Sequence, residues 1–324
     1  MSKSVVVSPA DMIPTQYTVD TPYMVGPVHF YTIERDGELV LFDTGPPTET
    51  GKHFLQTHVD LRRLKHIIIT HCHIDHYGQA SWLEKNSDAA IYLPYRDIQK
   101  IEHHDERLEK MYELLSGLGF GGDYLDSFRE SFSRGGVFPP VPDTYLTAEH
   151  DIPETLDIGI LSCAGHSQSD LVYSGDSWAI TGDTLLRGIY QSPLLDIDLE
   201  DGGRFNNYQA YCSTLYKLAQ LREKKILPGH RKTIDSVDAT IQFYIAKTLY
   251  RTLLLKPHIK DYPVAQVIDR VFGKEMTDPF HVYLKASEIM FMIDLLENPE
   301  TLRTVLQQIG LFDKVKDNFE RVVS

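Results

Sequence analysis

The chain has 324 residues, 42% of them hydrophobic, and no apolar run of roughly 18 residues or more, so it can bury a large core and does not span a membrane. A formal net charge of −14 repels phosphate backbones and argues against a nucleic-acid partner. Cys72, Cys163 and Cys212 have no CxxC spacing, which fits a reducing compartment better than a disulfide framework.

Met1 to Ala10 holds one lysine and no long apolar stretch, so neither a secretory signal nor an anchor is visible and the expected location is cytoplasmic. From Val25 to Leu93 short β-type runs alternate with turn signals, and an apolar helical stretch around His53 to Leu64 leads into a strand at Ile67-Ile68-Ile69. Directly after that strand stands Thr70-His71-Cys72-His73-Ile74-Asp75-His76-Tyr77. Imidazole and carboxylate bind first-row metals well, and a short loop at a strand end can aim several of them at one point. Any one of these histidines alone reads as part of a solvated turn. Clustered, they do not, because Lys, Glu, Arg and Asp are the usual solvating residues.

Tyr95 to about Arg134 changes to helical spacing, with Ile98, Ile101, Leu108, Met111, Leu114 and Leu115 as its apolar positions. Gly117, Gly119, Gly121 and Gly122 break the pattern, and Gly135-Gly136-Val137-Phe138-Pro139-Pro140 follows as a loop. This helical insertion, about 95–140, is expected either to overhang the site as a lid or to pack, for instance against a second subunit in a homodimer.

A second β-rich stretch runs from Thr144 to Gly182, and three further candidate ligands each follow a β-type run. They are His166 in Ala164-Gly165-His166-Ser167, Asp183 in Thr181-Gly182-Asp183-Thr184, and His230 at the end of Lys225-Ile226-Leu227-Pro228-Gly229-His230. Singly they read as turns or, for Asp183, as a helix N-cap. The recurrence of strand, glycine and ligand points instead to a shared site. Past His230, apolar stripes at 237–256 and 285–312 predict helices that pack against the rest of the chain. The expected division is a catalytic domain at 1–235 and a helical C-terminal region at 236–324.

Taken together, His71, His73, Asp75, His76, then Gly165-His166, Thr181-Gly182-Asp183-Thr184 and Pro228-Gly229-His230 resemble the complete metal-binding set of the metallo-β-lactamase superfamily. Val28-His29-Phe30-Tyr31-Thr32-Ile33 through Leu39-Val40-Leu41-Phe42-Asp43-Thr44-Gly45 resembles its opening hairpin and Asp-Thr-Gly turn. The resemblance implies an α/β fold, a four-layer αββα sandwich carrying the helical insertion and the helical C-terminal portion. It implies two divalent metal ions, one held by His71, His73 and His166 and the other by Asp75, His76 and His230, with Asp183 bridging them. Asp43 matches an acid that orients a ligand histidine, although a turn aspartate before Gly45 is the other reading. Zn is the first expectation, and the same ligand set accommodates Fe or Mn.

The chemistry so implied is hydrolysis by a hydroxide held between the two ions, with Asp75 assisting proton transfer. Within the superfamily the chain looks most like a glyoxalase-II-like hydrolase of a small-molecule thioester or ester. A lactonase or phosphodiesterase with the same site, or a weakly active regulatory binding protein, is the alternative. A lactonase typically adds a tyrosine shortly after the bridging aspartate, where this chain has Leu186 and Arg187, with Tyr190 later. The basic cluster that grips glutathione in glyoxalase II has no match, although Arg231, Lys232, Lys247 and Arg251 are available.

Overall fold

The computed structural model describes residues 12–133, 138–273, 276 and 278–324. The expectation at Met1 to Ala10 and the Gly135–Val137 part of the insertion loop lie outside these residues.

Alternating apolar runs pair into two sheets. The first contains, in spatial order, β1 (Thr15–Val19), β2 (Val28–Arg35), β3 (Glu38–Phe42), β4 (Leu64–Ile68), β5 (Ala90–Leu93) and β6 (Leu146–Thr147). The second contains β7 (Gly159–Ser162), β8 (Leu171–Ser174), β9 (Trp178–Gly182) and β10 (Lys225–Pro228), in the order β10-β9-β8-β7. β2 and β3 form the expected hairpin, with Ile33 opposite Val40. Its turn residues Asp36 and Gly37 have φ of 50° and 79°, left-handed backbone whose twist matches that of the strands.

The period of two along each strand sorts side chains into layers. Tyr31, Phe42 and Ile68 of the first sheet meet Tyr173, Trp178, Ile180 and Leu227 of the second, forming the core between the sheets. Their neighbours Phe30, Leu41 and Ile67 point the other way, onto Leu55 and Leu83 of helices Glu49–His58 and Ala80–Glu84. Val172, Ala179 and Ile226 likewise turn outward, onto helices Asn207–Ala219, Val237–Ile259 and Pro279–Glu297. The result is the helix–sheet–sheet–helix sandwich that the resemblance implies.

The insertion forms helices Tyr95–Glu102, His104–Gly117 and Gly122–Phe132. Met111, Leu115, Leu125 and Phe128 share one core with Val267, Ile268, Tyr283, Ala286 and Ile289 of the tail, so the insertion packs on the C-terminal helices of its own chain. The stripe at 285–312 resolves into Pro279–Glu297 and Pro299–Gln308, with proline near the start of each helix, where its missing N–H costs nothing.

One boundary differs from expectation. The helix foreseen around 53–64 spans Glu49–His58 instead. Thr48 Oγ1 caps its start by accepting from Gly51 N at 3.0 Å, a signal upstream of the apolar stretch. After Asp60 the backbone turns, and Leu64, fully buried, already belongs to β4.

Candidate metal centre

β7 and β9 both run antiparallel to β8, and β10 runs parallel to β9, so the C-terminal ends of β7, β9 and β10 open at one edge. His166, Asp183 and His230 follow these three ends. The loop after β4 brings His71 and His73 to the same place, and Asp75 and His76 follow in the short helix Ile74–Tyr77.

All seven residues expected at the site converge. Their donor atoms fall into three overlapping groups that could hold a metal ion: His71, His73 and His166; His71, His76 and Asp183; and Asp75, His76 and His230. Nε2 of His166 lies 3.2 Å from Nδ1 of His73, and Nε2 of His76 lies 3.3 Å from Nε2 of His230. Asp183 Oδ1 stands 3.4 Å from His76 Nε2 and 3.5 Å from His230 Nε2, while its Oδ2 is 3.9 Å from His166 Nε2. Asp75 Oδ2 approaches His230 Nε2 at 3.2 Å.

Two of these atoms, His71 Nε2 and Asp183 Oδ1, are buried without a hydrogen-bond partner. Buried polar atoms in native folds are normally satisfied, so orphaned donors inside a ring of imidazoles and carboxylates fit a divalent cation. The glycines before the ligands are required by space. A Cβ on Gly229 would stand 2.6 Å from His76 Cε1 and 2.8 Å from Asp183 Oδ1, and one on Gly182 would stand 2.8 Å from Thr70 Oγ1.

Electrostatics divides the histidines. Burial, followed by the neighbouring imidazoles, holds His71 and His73 well below the ordinary histidine value, which leaves their lone pairs free for a metal. Burial also opposes charge on His76, but the carboxylates of Asp43 and Asp183 outweigh it and raise its pKa. His230 is raised against burial by Asp183 and Asp75. Asp183 and Asp75 stay below the ordinary carboxylate value despite burial, held there by His230 and His76.

Three of the five rings are oriented from behind. His76 Nδ1 lies 2.8 Å from Asp43 Oδ2, the orienting role the sequence offered for that acid. His166 Nδ1 lies 2.7 Å from the Ser192 carbonyl and His230 Nδ1 lies 2.8 Å from that of Pro27. Backbone carbonyls have no residue signature, which is why sequence reasoning passed over Ser192 and Pro27. Gln191 Nε2 donates to the Asp183 carbonyl, and Tyr23 is close enough to Asp75 for that carboxylate to add to the upward push of burial on its hydroxyl. Tyr190 is stacked on Tyr244 at 4.9 Å, with the Arg251 guanidinium 4.1 Å above its ring.

The chain belongs to the metallo-beta-lactamase superfamily, whose family description matches residues 23–230. It is similar to the probable metallo-hydrolase YqjP of Bacillus subtilis (strain 168), 25% identical over 311 residues covering 88% of this chain and 92% of that protein. Among solved structures, the metallo-beta-lactamase family protein TTHA1429 from Thermus thermophilus superposes with a TM-score of 0.66 at 19% identity, over 88% of this chain and 94% of that one. A beta-lactamase domain protein from Burkholderia ambifaria gives a TM-score of 0.67 at 19% identity, over 87% and 86% of the two chains. These structures share the fold. Among the described residues, no helix is long and apolar enough to cross a membrane.

Proposed function

We propose that the chain is a hydrolase that binds two divalent metal ions and cleaves a thioester or ester of a small acyl substrate. The observation that carries this reading is the convergence of seven His and Asp side chains with His71 Nε2 and Asp183 Oδ1 left unpartnered at its centre. A similar protein bearing the description of a probable metallo-hydrolase supports it.

His71, His73 and His166 would hold one ion, Asp75, His76 and His230 the other, and Asp183 would serve both. Zn suits this donor set, as do Fe and Mn. When bound, such a pair lowers the pKa of water and polarises a carbonyl, which is the requirement of acyl hydrolysis at neutral pH. The protein's own residues do the rest. Asp43, Ser192 and Pro27 orient His76, His166 and His230, and Asp75 would accept a proton and return it to the leaving group.

Arg231, next after His230, and Lys232 line a cavity of about 370 Å³ with Arg187, Gly188 and Ile189. Arg187 is paired with Asp235, which leaves the exposed Arg231 and Lys232 as the charges that, on a chain of net charge −14, would favour a substrate carrying a carboxylate or another anionic group.

The test is metal content per chain after purification without added metal, together with turnover on acyl thioesters, lactones and phosphodiesters. Two ions per chain and thioester or ester turnover support the proposal. Lactone or phosphodiester turnover alone would replace the substrate, and a chain with neither metal nor turnover would favour a binding protein.

A further inference from the structure

Beside the site, hydrolysis leaves unused a connected cluster of polar side chains, Asp97, Lys100, Ser167 and Ser169. Asp97 and Lys100 lie in helix Tyr95–Glu102, the first of the insertion. Asp97 Oδ2 accepts from the backbone N of Cys72 at 2.6 Å, the residue between His71 and His73. Asp97 Oδ1 accepts from Ser169 Oγ at 2.7 Å and pairs with Lys100 Nζ. Lys100 Nζ in turn donates to Ser167 Oγ at 3.3 Å and to Ser169 Oγ at 3.1 Å. Ser167 directly follows His166. The side chains of Asp97 and Lys100 are only 2% and 14% exposed.

We infer that the Asp97–Lys100 pair is a positioning device for the His71–His73–His166 group, clamping together the two segments that supply it. Those segments stand 93 residues apart in sequence. A backbone bond from Leu171 N to the Thr70 carbonyl at 2.9 Å joins them at the strand ends, and the ion pair joins them beside the ligands themselves.

A buried ion pair is a poor stabiliser, because desolvation of both charges offsets their attraction, and apolar residues of like volume serve packing as well or better. What this pair supplies is direction. One carboxylate accepts from both loops, and the ammonium beside it donates twice to the second.

Charge balance gives the pair a second effect. Asp97 pairs directly with Lys100, so the carboxylate offsets the field that a lone ammonium would impose on a neighbouring cation site. The inference rests on the metal-binding reading above. It adds that the insertion's first helix sets the affinity of one ion and not of the other.

The experiment titrates the metal-free full chain with zinc ions against a chromophoric chelator, for wild type, Asp97→Asn, Lys100→Met and the double variant. Melting temperature of each metal-free chain is measured beside it. Asp97→Asn is expected to weaken one of two zinc sites about 10–100-fold, the usual effect of losing an outer-shell partner, and a further Asp75→Ala should remove the remaining ion. The double variant should recover part of the loss, because the unpaired ammonium goes with it.

Equal losses in Asp97→Asn and the double variant, tracking a lowered metal-free melting temperature, would reduce the pair to packing and overturn the inference. Two wild-type-like sites in Asp97→Asn would also overturn it. No zinc on wild type would instead overturn the metal reading beneath it. Should Asp97→Asn fail to fold, Ser169→Ala removes the direct bond of Asp97 to the His166 segment while leaving Lys100 on Ser167, and must still weaken the same single site.

Discussion

Oδ2 of Asp43 lies 2.8 Å from Nδ1 of His76, and the two residues are 2% and 0% exposed. Asp43 holds this position in left-handed backbone, φ 59°, with its carboxylate also accepting from Thr70 N at 2.8 Å and Thr70 Oγ1 at 2.9 Å. The contact turns His76 Nε2 toward Asp183. Asp43→Asn offers one acceptor oxygen where two are used. It is expected to weaken metal binding about 10–100-fold, with the secondary structure intact by circular dichroism. Metal competition titration checks it, and an unchanged affinity would reduce Asp43 to a turn residue.

Asp183→Ala should lose metal and activity together. Among the described residues, this carboxylate is the one whose two oxygens face His76 and His230 on one side and His166 on the other. Removing it also leaves buried imidazoles without the charge that balances them, so the variant is expected to be less stable by about 3–5 kcal/mol, the cost of breaking a buried pair. Metal analysis and chemical denaturation read the two effects separately. Retention of two ions at wild-type turnover would refute the ligand assignment.

Gly229→Ala is a test of space. The added Cβ would stand 2.6 Å from His76 Cε1 and 2.8 Å from Asp183 Oδ1, distances that force two ligands aside. Overpacking of this kind costs about 1–3 kcal/mol, but the displacement of ligands should remove far more metal affinity than the fold loses stability. Ala in place of Gly188, whose Cβ would meet nothing within 4 Å though its φ is 73°, should leave metal content unchanged.

Why the site was legible lies in its residue types. Strand, glycine and ligand recur before His166, Asp183 and His230, and the structure gives the glycines at 182 and 229 a steric reason. The sandwich was legible through the resemblance those motifs carry, and the structure gives its physical basis: neighbouring residues such as Phe42 and Leu41 face opposite layers. What was not legible acts through backbone or through distance. Ser192 and Pro27 contribute carbonyls that any residue could offer. The union of Leu115 and Phe128 with Val267 and Ile289 in one core joins apolar stripes that, along the chain, carry no record of their partner.

Chelation should lower the melting temperature, and the gap between loaded and metal-free protein should widen as pH rises. In the metal-free chain His76 is raised well above 6.5, with burial opposing the shift and Asp43 and Asp183 driving it; His230 is raised too. A raised folded pKa contributes stability that is fully present below the unfolded value and is lost as pH climbs through the folded one. Asp75 and Asp183 are shifted down from 3.8, so their contribution is present throughout the neutral range. His71 and His73, shifted down as well, favour unfolding only where the unfolded imidazoles are protonated, so their opposing contribution fades above about pH 7.5 and the trend is read there. In the loaded protein the ligand imidazoles must be deprotonated, so metal binding strengthens with pH as proton competition fades, and bound metal adds to stability by mass action. One state thus loses support with rising pH while the other gains it. Calorimetric scans with and without chelator at about pH 7.5, 8.0 and 8.5 sample this linkage above the unfolded histidine range, and a gap that stayed constant or narrowed would mean that His76 and His230 do not hold their protons in the metal-free fold.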